Sequence, residues 1–169
     1  MTLVVLTGAS GAGKTAISDL IAAEHGADID IRFFDSIGVP PVEEMNALFG
    51  SPAGWQQAMT AEWMARLAGT MQPGRPVLFE GQMRIGFVVD AAAAMGLACR
   101  IILVDCDDAT RRHRLTSDRN QPELANDDMM NWAAFLRREA LSAGCEILDT
   151  SNLPIAEAAA IVLQRLRAD

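Results

Sequence analysis

Cysteine is scarce in this chain, and Cys99, Cys106 and Cys145 show no metal-site spacing. Two of them lie in or beside apolar strand-like runs, which predicts buried free thiols in a reducing cytosol rather than a disulfide scaffold. Long hydrophobic runs are also missing. Leu3–Leu6 is too short for a signal peptide, and Gly8 follows at once. Ala91–Ala98 is too short to cross a bilayer, so a cytoplasmic protein without a membrane partner is expected. Basic charge is in deficit: 14 Lys and Arg against 22 Asp and Glu leave a net charge of −8. That argues against a broad electrostatic grip on nucleic acid, although a few placed cations could still bind phosphate locally. There is no internal repeat, low-complexity tract or charge run marking a linker. His25 and His113 have no partner at metal-like spacing and are expected at the surface. No Asn-Lys-x-Asp motif for guanine is present.

What is present is a chain of 169 residues, 50% hydrophobic and 21% charged, enough for one domain (1–169) with a substantial core. Short β-branched runs alternate with longer helical stretches. Leu3–Leu6, Ile31–Phe34, Pro76–Phe79, Arg100–Val104 and Cys145–Leu148 read as strands whose continuous apolar character suits a parallel sheet buried on both faces. Helices are predicted at Lys14–His25, Val42–Phe49, Trp55–Met71, Ile85–Met95, Asp108–Thr116 and Asp128–Ala143. A last one is marked by Ile155, Ala159, Val162 and Leu166 at helical spacing, with Asn152 and Pro154 at its start. This alternation predicts a three-layer α/β fold, in which ligands bind at the carboxyl ends of the strands.

After the first strand stands Gly8-Ala9-Ser10-Gly11-Ala12-Gly13-Lys14-Thr15, a complete G-x-x-x-x-G-K-[ST] pattern. Small residues let successive backbone N–H groups turn toward phosphates, and the helix beginning near Lys14 adds its positive end. Gly8, Ser10, Gly11, Ala12 and Gly13 would form the cradle. Lys14 would reach the β- and γ-phosphates of ATP, and the Thr15 hydroxyl would ligate Mg²⁺. The competing reading, a glycine-rich turn that only packs tightly, is disfavoured by the strand before and helix after.

With these residues the chain resembles the P-loop nucleoside, nucleotide and small-molecule kinases, the group of adenylate, shikimate and gluconate kinases. The resemblance follows the order of elements through nearly the whole chain. It implies an α/β/α fold with a five-stranded parallel sheet of order 2-3-1-4-5. It also implies an acceptor-binding insertion at about 36–72 and a lid at about 117–128.

Asp35 follows the second strand, where a carboxylate could contact or deprotonate an acceptor hydroxyl; capping the next turn would suit it as well. Ser36 is a weaker neighbour. Glu80-Gly81-Gln82-Met83-Arg84 resembles the Asp-Gly-Phe-Pro-Arg segment of adenylate kinases, with Glu for Asp and Gln-Met for Phe-Pro. The resemblance implies that Arg84 holds an acceptor anion, that Glu80 lies near Mg²⁺, and that Gln82 could hydrogen-bond the acceptor. Arg111, Arg112, Arg114 and Arg119 follow the fourth strand, and Arg137 and Arg138 lie on the next helix. In kinases of this kind, arginines flanking the lid meet the transferring phosphoryl group. Arg119 and one of Arg137 and Arg138 are the candidates; Arg111 and Arg112 are expected at the surface, with Arg114 between. Thr150 and Asn152 are candidates for adenine contact, although capping accounts equally well for Asn152. Trp55 and Trp63 could line the acceptor pocket, but a core position is the stronger expectation.

The function this implies is transfer of the γ-phosphate of Mg-ATP to a small-molecule acceptor such as a nucleotide, nucleoside or sugar, by a monomer or homodimer. The alternative is a non-kinase ATP-binding switch that regulates a protein partner.

Overall fold

The computed structural model describes residues 2–168. Its strands are β1 (Leu3–Thr7), β2 (Asp30–Phe33), β3 (Val77–Glu80), β4 (Arg100–Asp105) and β5 (Glu146–Asp149). Its α-helices are α1 (Lys14–His25), α2 (Val42–Phe49), α3 (Pro52–Thr70), α4 (Ile85–Met95), α5 (Asp108–His113), α6 (Asp127–Ala143) and α7 (Ile155–Arg167). The strands form one parallel sheet in the order β2-β3-β1-β4-β5, with Leu6 level with Glu80 on one side and with Ile102 on the other. That is the expected fold.

Alternation along β1 splits the core in two. Leu3 and Val5 point into a cluster with Trp63, Phe79, Ile85 and Leu136, beneath α3, α4 and α6. Val4 and Leu6 point the other way, onto Ile17 and Ile21 of α1 and Val162 and Leu166 of α7. Burial on both faces accounts for the unbroken apolar runs. It also explains why Trp55 and Trp63 are core residues: each is only 7% exposed.

Local chemistry sets the helix starts. Ser51 accepts from Gly54 N–H at 3.0 Å with Pro52 beside it, so α3 begins three residues before Trp55, where periodicity alone placed it. Asn126 caps α6 by accepting from Met129 N–H at 2.9 Å. The N-cap of α1 is Gly13, at φ 99°, and no side chain caps it. The positive end of α1 is thereby left open toward the ends of the strands. The predicted helix after β4 changes at Arg114 into a π turn, Arg114–Asp118, which re-aims the segment that follows. Asn152 makes no cap: Pro154 precedes α7 without a side-chain bond, and Asn152 is exposed. Cys106 is buried, Cys99 and Cys145 are half-buried, and all three thiols are free.

Candidate active site

The loop between β1 and α1 carries glycine at three positive φ angles, 150° at Gly8, 79° at Gly11 and 99° at Gly13. Its only cation is Lys14, which is also the only lysine of the chain. Lys14 is buried, with Nζ 3.4 Å from the Ala9 carbonyl and 3.9 Å from the Glu80 carboxylate. Burial pulls the Lys14 amine below its ordinary 10.5, with Glu80 opposing that shift. Burial raises the Glu80 carboxyl above 4.5, and Lys14 draws it back. Each group makes the other's charge tolerable in a nearly dry position.

Two cavities meet over this loop. One, of about 410 Å³, is bounded by Gly11, Gly13, Thr15, Arg114, Leu153 and Ile155. The other, of about 190 Å³, brings Ser10, Lys14 and Thr15 together with Asp35, Glu80 and Gln82. Arg119 lines both. Residues from the ends of β1, β2 and β3 and from the segment after the π turn thus converge where the strand-end rule places a ligand. Asp35 sits exposed on a short 3₁₀ turn, Phe34–Ile37, and Trp63 Nε1 donates to the Phe34 carbonyl at 3.1 Å. Trp55 stands edge-on to the Phe34 ring. The tryptophans therefore brace the turn that carries Asp35 from within the core. Ser36 is turned away, onto the Phe33 carbonyl at 2.7 Å.

The Gln82 side chain accepts from Ser10 Oγ at 3.2 Å. Its segment is pinned from α3, because Gln56 donates to the Gln82 carbonyl at 2.8 Å and accepts from Arg84 N–H at 3.1 Å. Gln56 is a positioning residue that no motif marks; only the folding of α3 over this loop brings it there.

Several sequence expectations move. Arg111, expected at the surface, is fully buried: it donates to the Ser10 carbonyl at 2.8 Å and to Asp105 at 2.7 Å. The signal that could have found it is an acid ending an apolar strand six residues earlier. Arg112 is exposed as expected, paired with Asp127. Arg137 is not brought to Lys14. Its Nε donates to the second Asp105 oxygen at 2.6 Å, because α6 packs along β4, while Arg138 is exposed on α6. Neither lines the two cavities. The Arg84 guanidinium lies 5.4 Å from the Phe87 ring, 5.8 Å from Trp132 and 5.0 Å from Phe135, outside the lining of the smaller cavity. Thr150 is fully buried, donating to the Ala12 carbonyl at 2.8 Å and accepting from Arg114 at 2.9 Å, so it offers no face to a base. Asn152 lines neither cavity, and Leu153 takes its place beside the larger one.

No protein-family model matches the chain. A curated relative, a nucleotide-binding protein of Rhodospirillum rubrum, is 25% identical over 173 residues, covering 95% of this chain and 46% of that protein. The chain thus spans about half the length of the relative it matches. Among solved structures, a sugar kinase from Janibacter sp. superposes with TM-score 0.66 at 17% identity, covering 98% of this chain and 94% of that one. A shikimate kinase from Bacteroides thetaiotaomicron does so with TM-score 0.63 at 16% identity, covering 99% of both chains. A gluconokinase from Sinorhizobium meliloti gives 0.59 at 15% identity, over 98% and 91%. At such identities the likeness establishes the architecture: this chain has the fold of the P-loop small-molecule kinases. Among the described residues no helix is long and apolar enough to cross a membrane.

Proposed function

We propose that the chain is a Mg-ATP-dependent phosphotransferase that moves the γ-phosphate of ATP to a small-molecule acceptor. The observation that carries this reading is the junction of the two cavities, where Lys14, Thr15 and Arg119 lie between a P-loop and an acid-bearing pocket. ATP would occupy the larger cavity, with its phosphates on the loop and the acceptor in the smaller one beside Asp35 and Gln82. The donor set suits magnesium, which needs only one or two protein oxygens beside phosphates and water; Thr15 and Glu80 supply them. Held by these two residues, the ion would neutralise part of the phosphate charge.

In the transfer, the acceptor oxygen bonds to the γ-phosphorus as the bond to the β–γ bridging oxygen breaks and ADP leaves. The hydroxyl proton passes to Asp35. Lys14 and Arg119 stabilise charge on the equatorial phosphoryl oxygens, and Arg119, lining both cavities, is placed to follow the group across. Arg84 would serve an anionic acceptor only by leaving its aromatic seat. We place the protein in the cytoplasm as a monomer or homodimer, in keeping with its free thiols.

A second reading, an ATP-binding switch for a protein partner, draws on the curated relative, which is described as nucleotide-binding and not as a kinase. ADP release, screened across nucleosides, nucleotides, sugars and aminoglycosides with Lys14→Ala as control, separates the two. Stimulation by a metabolite that Lys14→Ala abolishes supports the kinase. Turnover stimulated only by a protein partner supports the switch, and full activity in Lys14→Ala sinks both.

A further inference from the structure

The transfer outlined above uses neither the buried Arg111 nor the buried Thr150, although both are bonded to the phosphate loop. We propose that Arg111, Thr150 and Arg114 form a clamp on the loop's carbonyls that presets its N–H groups for phosphate, and that Asp105 aims Arg111. This rests on reading the loop as a nucleotide site.

In a trans peptide the carbonyl and the following N–H point in opposite directions. Three consecutive loop carbonyls are held from the β4–α5–β5 side. Ser10 O accepts from Arg111 Nη1 at 2.8 Å, and Ala12 O accepts from Thr150 Oγ1 at 2.8 Å. Gly11 O lies between them, with longer contacts to Arg114 Nη1 at 3.4 Å and Cys106 Sγ at 3.7 Å. The N–H groups of Gly11, Ala12 and Gly13 are therefore turned to the other side of the loop. Those of Gly11 and Gly13 have no partner among the described residues. Ala12 N–H reaches back to the Ala9 carbonyl at 3.4 Å. The Ser10–Gly11 and Ala12–Gly13 peptides have no such tie and without the clamp could flip at little cost, because glycine stands on both sides of Ala12.

The arginine is itself held in place. Arg111 Nη2 donates to Asp105 Oδ1 at 2.7 Å and to the Cys106 carbonyl at 3.2 Å, while Asp105 Oδ2 takes Arg137 Nε at 2.6 Å. Arg111 Nε is left buried without a partner. The guanidinium is thus turned so that two nitrogens serve Ser10 and Asp105 at the expense of the third. Lysine has the same charge but a single nitrogen without the planar fork, and cannot reproduce that span. Loop and arginine also touch: a Cβ on Gly11 would come within 3.1 Å of Arg111 Cγ.

Thr150→Val is the cleanest probe, since it keeps the shape and removes the donor; Thr150→Ser restores the donor, and Arg111→Lys tests the other arm. Mg-ADP and inorganic pyrophosphate binding are measured by calorimetry well below each variant's melting temperature, alongside amide ¹H–¹⁵N spectra of the ligand-free proteins. Thr150→Val and Arg111→Lys should each weaken both ligands about tenfold and shift the Gly11, Ala12 and Gly13 amide resonances. Thr150→Ser should bind within about threefold of wild type. Melting temperatures that fall while Thr150→Val binds both ligands like wild type would reduce the clamp to scaffolding and overturn it. If Arg111→Lys fails to fold, the Thr150 pair still decides. A wild-type protein that binds neither ligand overturns the nucleotide reading itself and the clamp with it.

Discussion

Replacing Gly8 with alanine should destabilise the protein before any ligand is added. β1 and β4 run side by side with Thr7 level with Leu103, which brings Gly8 against Val104. A Cβ on Gly8 would overlap the Val104 carbonyl oxygen and stand 3.2 Å from its carbon. The obstacle is backbone in the centre of the sheet, so no side-chain rotation relieves it. Overpacking and a φ of 150° that alanine rarely adopts together cost about 2–5 kcal/mol. For a domain of this size that lowers the melting temperature by roughly 5–20 °C. Gly13→Ala is the internal control. Its Cβ would meet only Ile155 Cδ1 at 3.6 Å and Arg114 Nη1 at 3.8 Å, so the cost is confined to a φ of 99°. That is about 1–2 kcal/mol, or roughly 2–8 °C. The added methyl faces the wall of the larger cavity, so Gly13→Ala should lose Mg-ADP affinity out of proportion to its stability. Thermal melts of the ligand-free variants by circular dichroism check the order. If Gly8→Ala melts within about 2 °C of wild type, or above Gly13→Ala, the close approach of β1 and β4 is refuted.

Nucleotide affinity should fall away at both ends of the pH range sooner than ordinary side chains would dictate. The proposed nucleotide site requires a protonated Lys14 and an ionised Glu80. Lys14 is lowered from 10.5 and Glu80 raised from 4.5, so the alkaline limb begins below the first value and the acid limb above the second. Mg-ADP affinity against pH reads this, and Glu80→Gln should remove the acid limb; limbs at the ordinary values would refute it. Stability has its own signs. Below 10.5 the unfolded state binds more protons at Lys14, so stability rises with pH there, whereas above 4.5 the folded state binds more at Glu80 and stability falls. Arg84→Met keeps the aliphatic stem but removes the charge from three ring faces, and should cost about 1–2 kcal/mol in a urea titration. An unchanged midpoint would argue that the stack contributes nothing. Asp35→Asn should lower kcat by about a hundredfold or more with ATP affinity unchanged, if Asp35 accepts the acceptor's proton. A change in acceptor KM alone would make it a binding residue.

Much of this protein could be read along the chain. β1, α1 and the loop between them were legible because their signals are local: an unbroken apolar run, small residues where the backbone must turn, and one lysine followed by threonine. The five strands and their order followed from apolar runs and from the resemblance those motifs carry. Asp35 was singled out by a positional rule, that ligands meet the carboxyl ends of parallel strands, and Glu80 and Gln82 also by the resemblance of their segment; the fold brings all three to one cavity.

The arginines were legible only as a group. Six of them lie between residues 111 and 138, and apart from the spacing to Asp105 nothing in the sequence separates the buried Arg111 from the exposed Arg112 beside it. Adjacent positions on a helix point about 100° apart, so the side facing the sheet decides which is buried. That side depends on Asp105 at the end of β4. Arg137 and Thr150 moved for the same reason. Their partners, Asp105 and the Ala12 carbonyl, lie 32 and 138 residues away in sequence, and such pairings exist only once the sheet has closed. The chain alone therefore determined the loop proposed here to hold phosphate, because a backbone cradle is a local object. Which side chains bond to that loop and which line the cavities beside it was decided by packing.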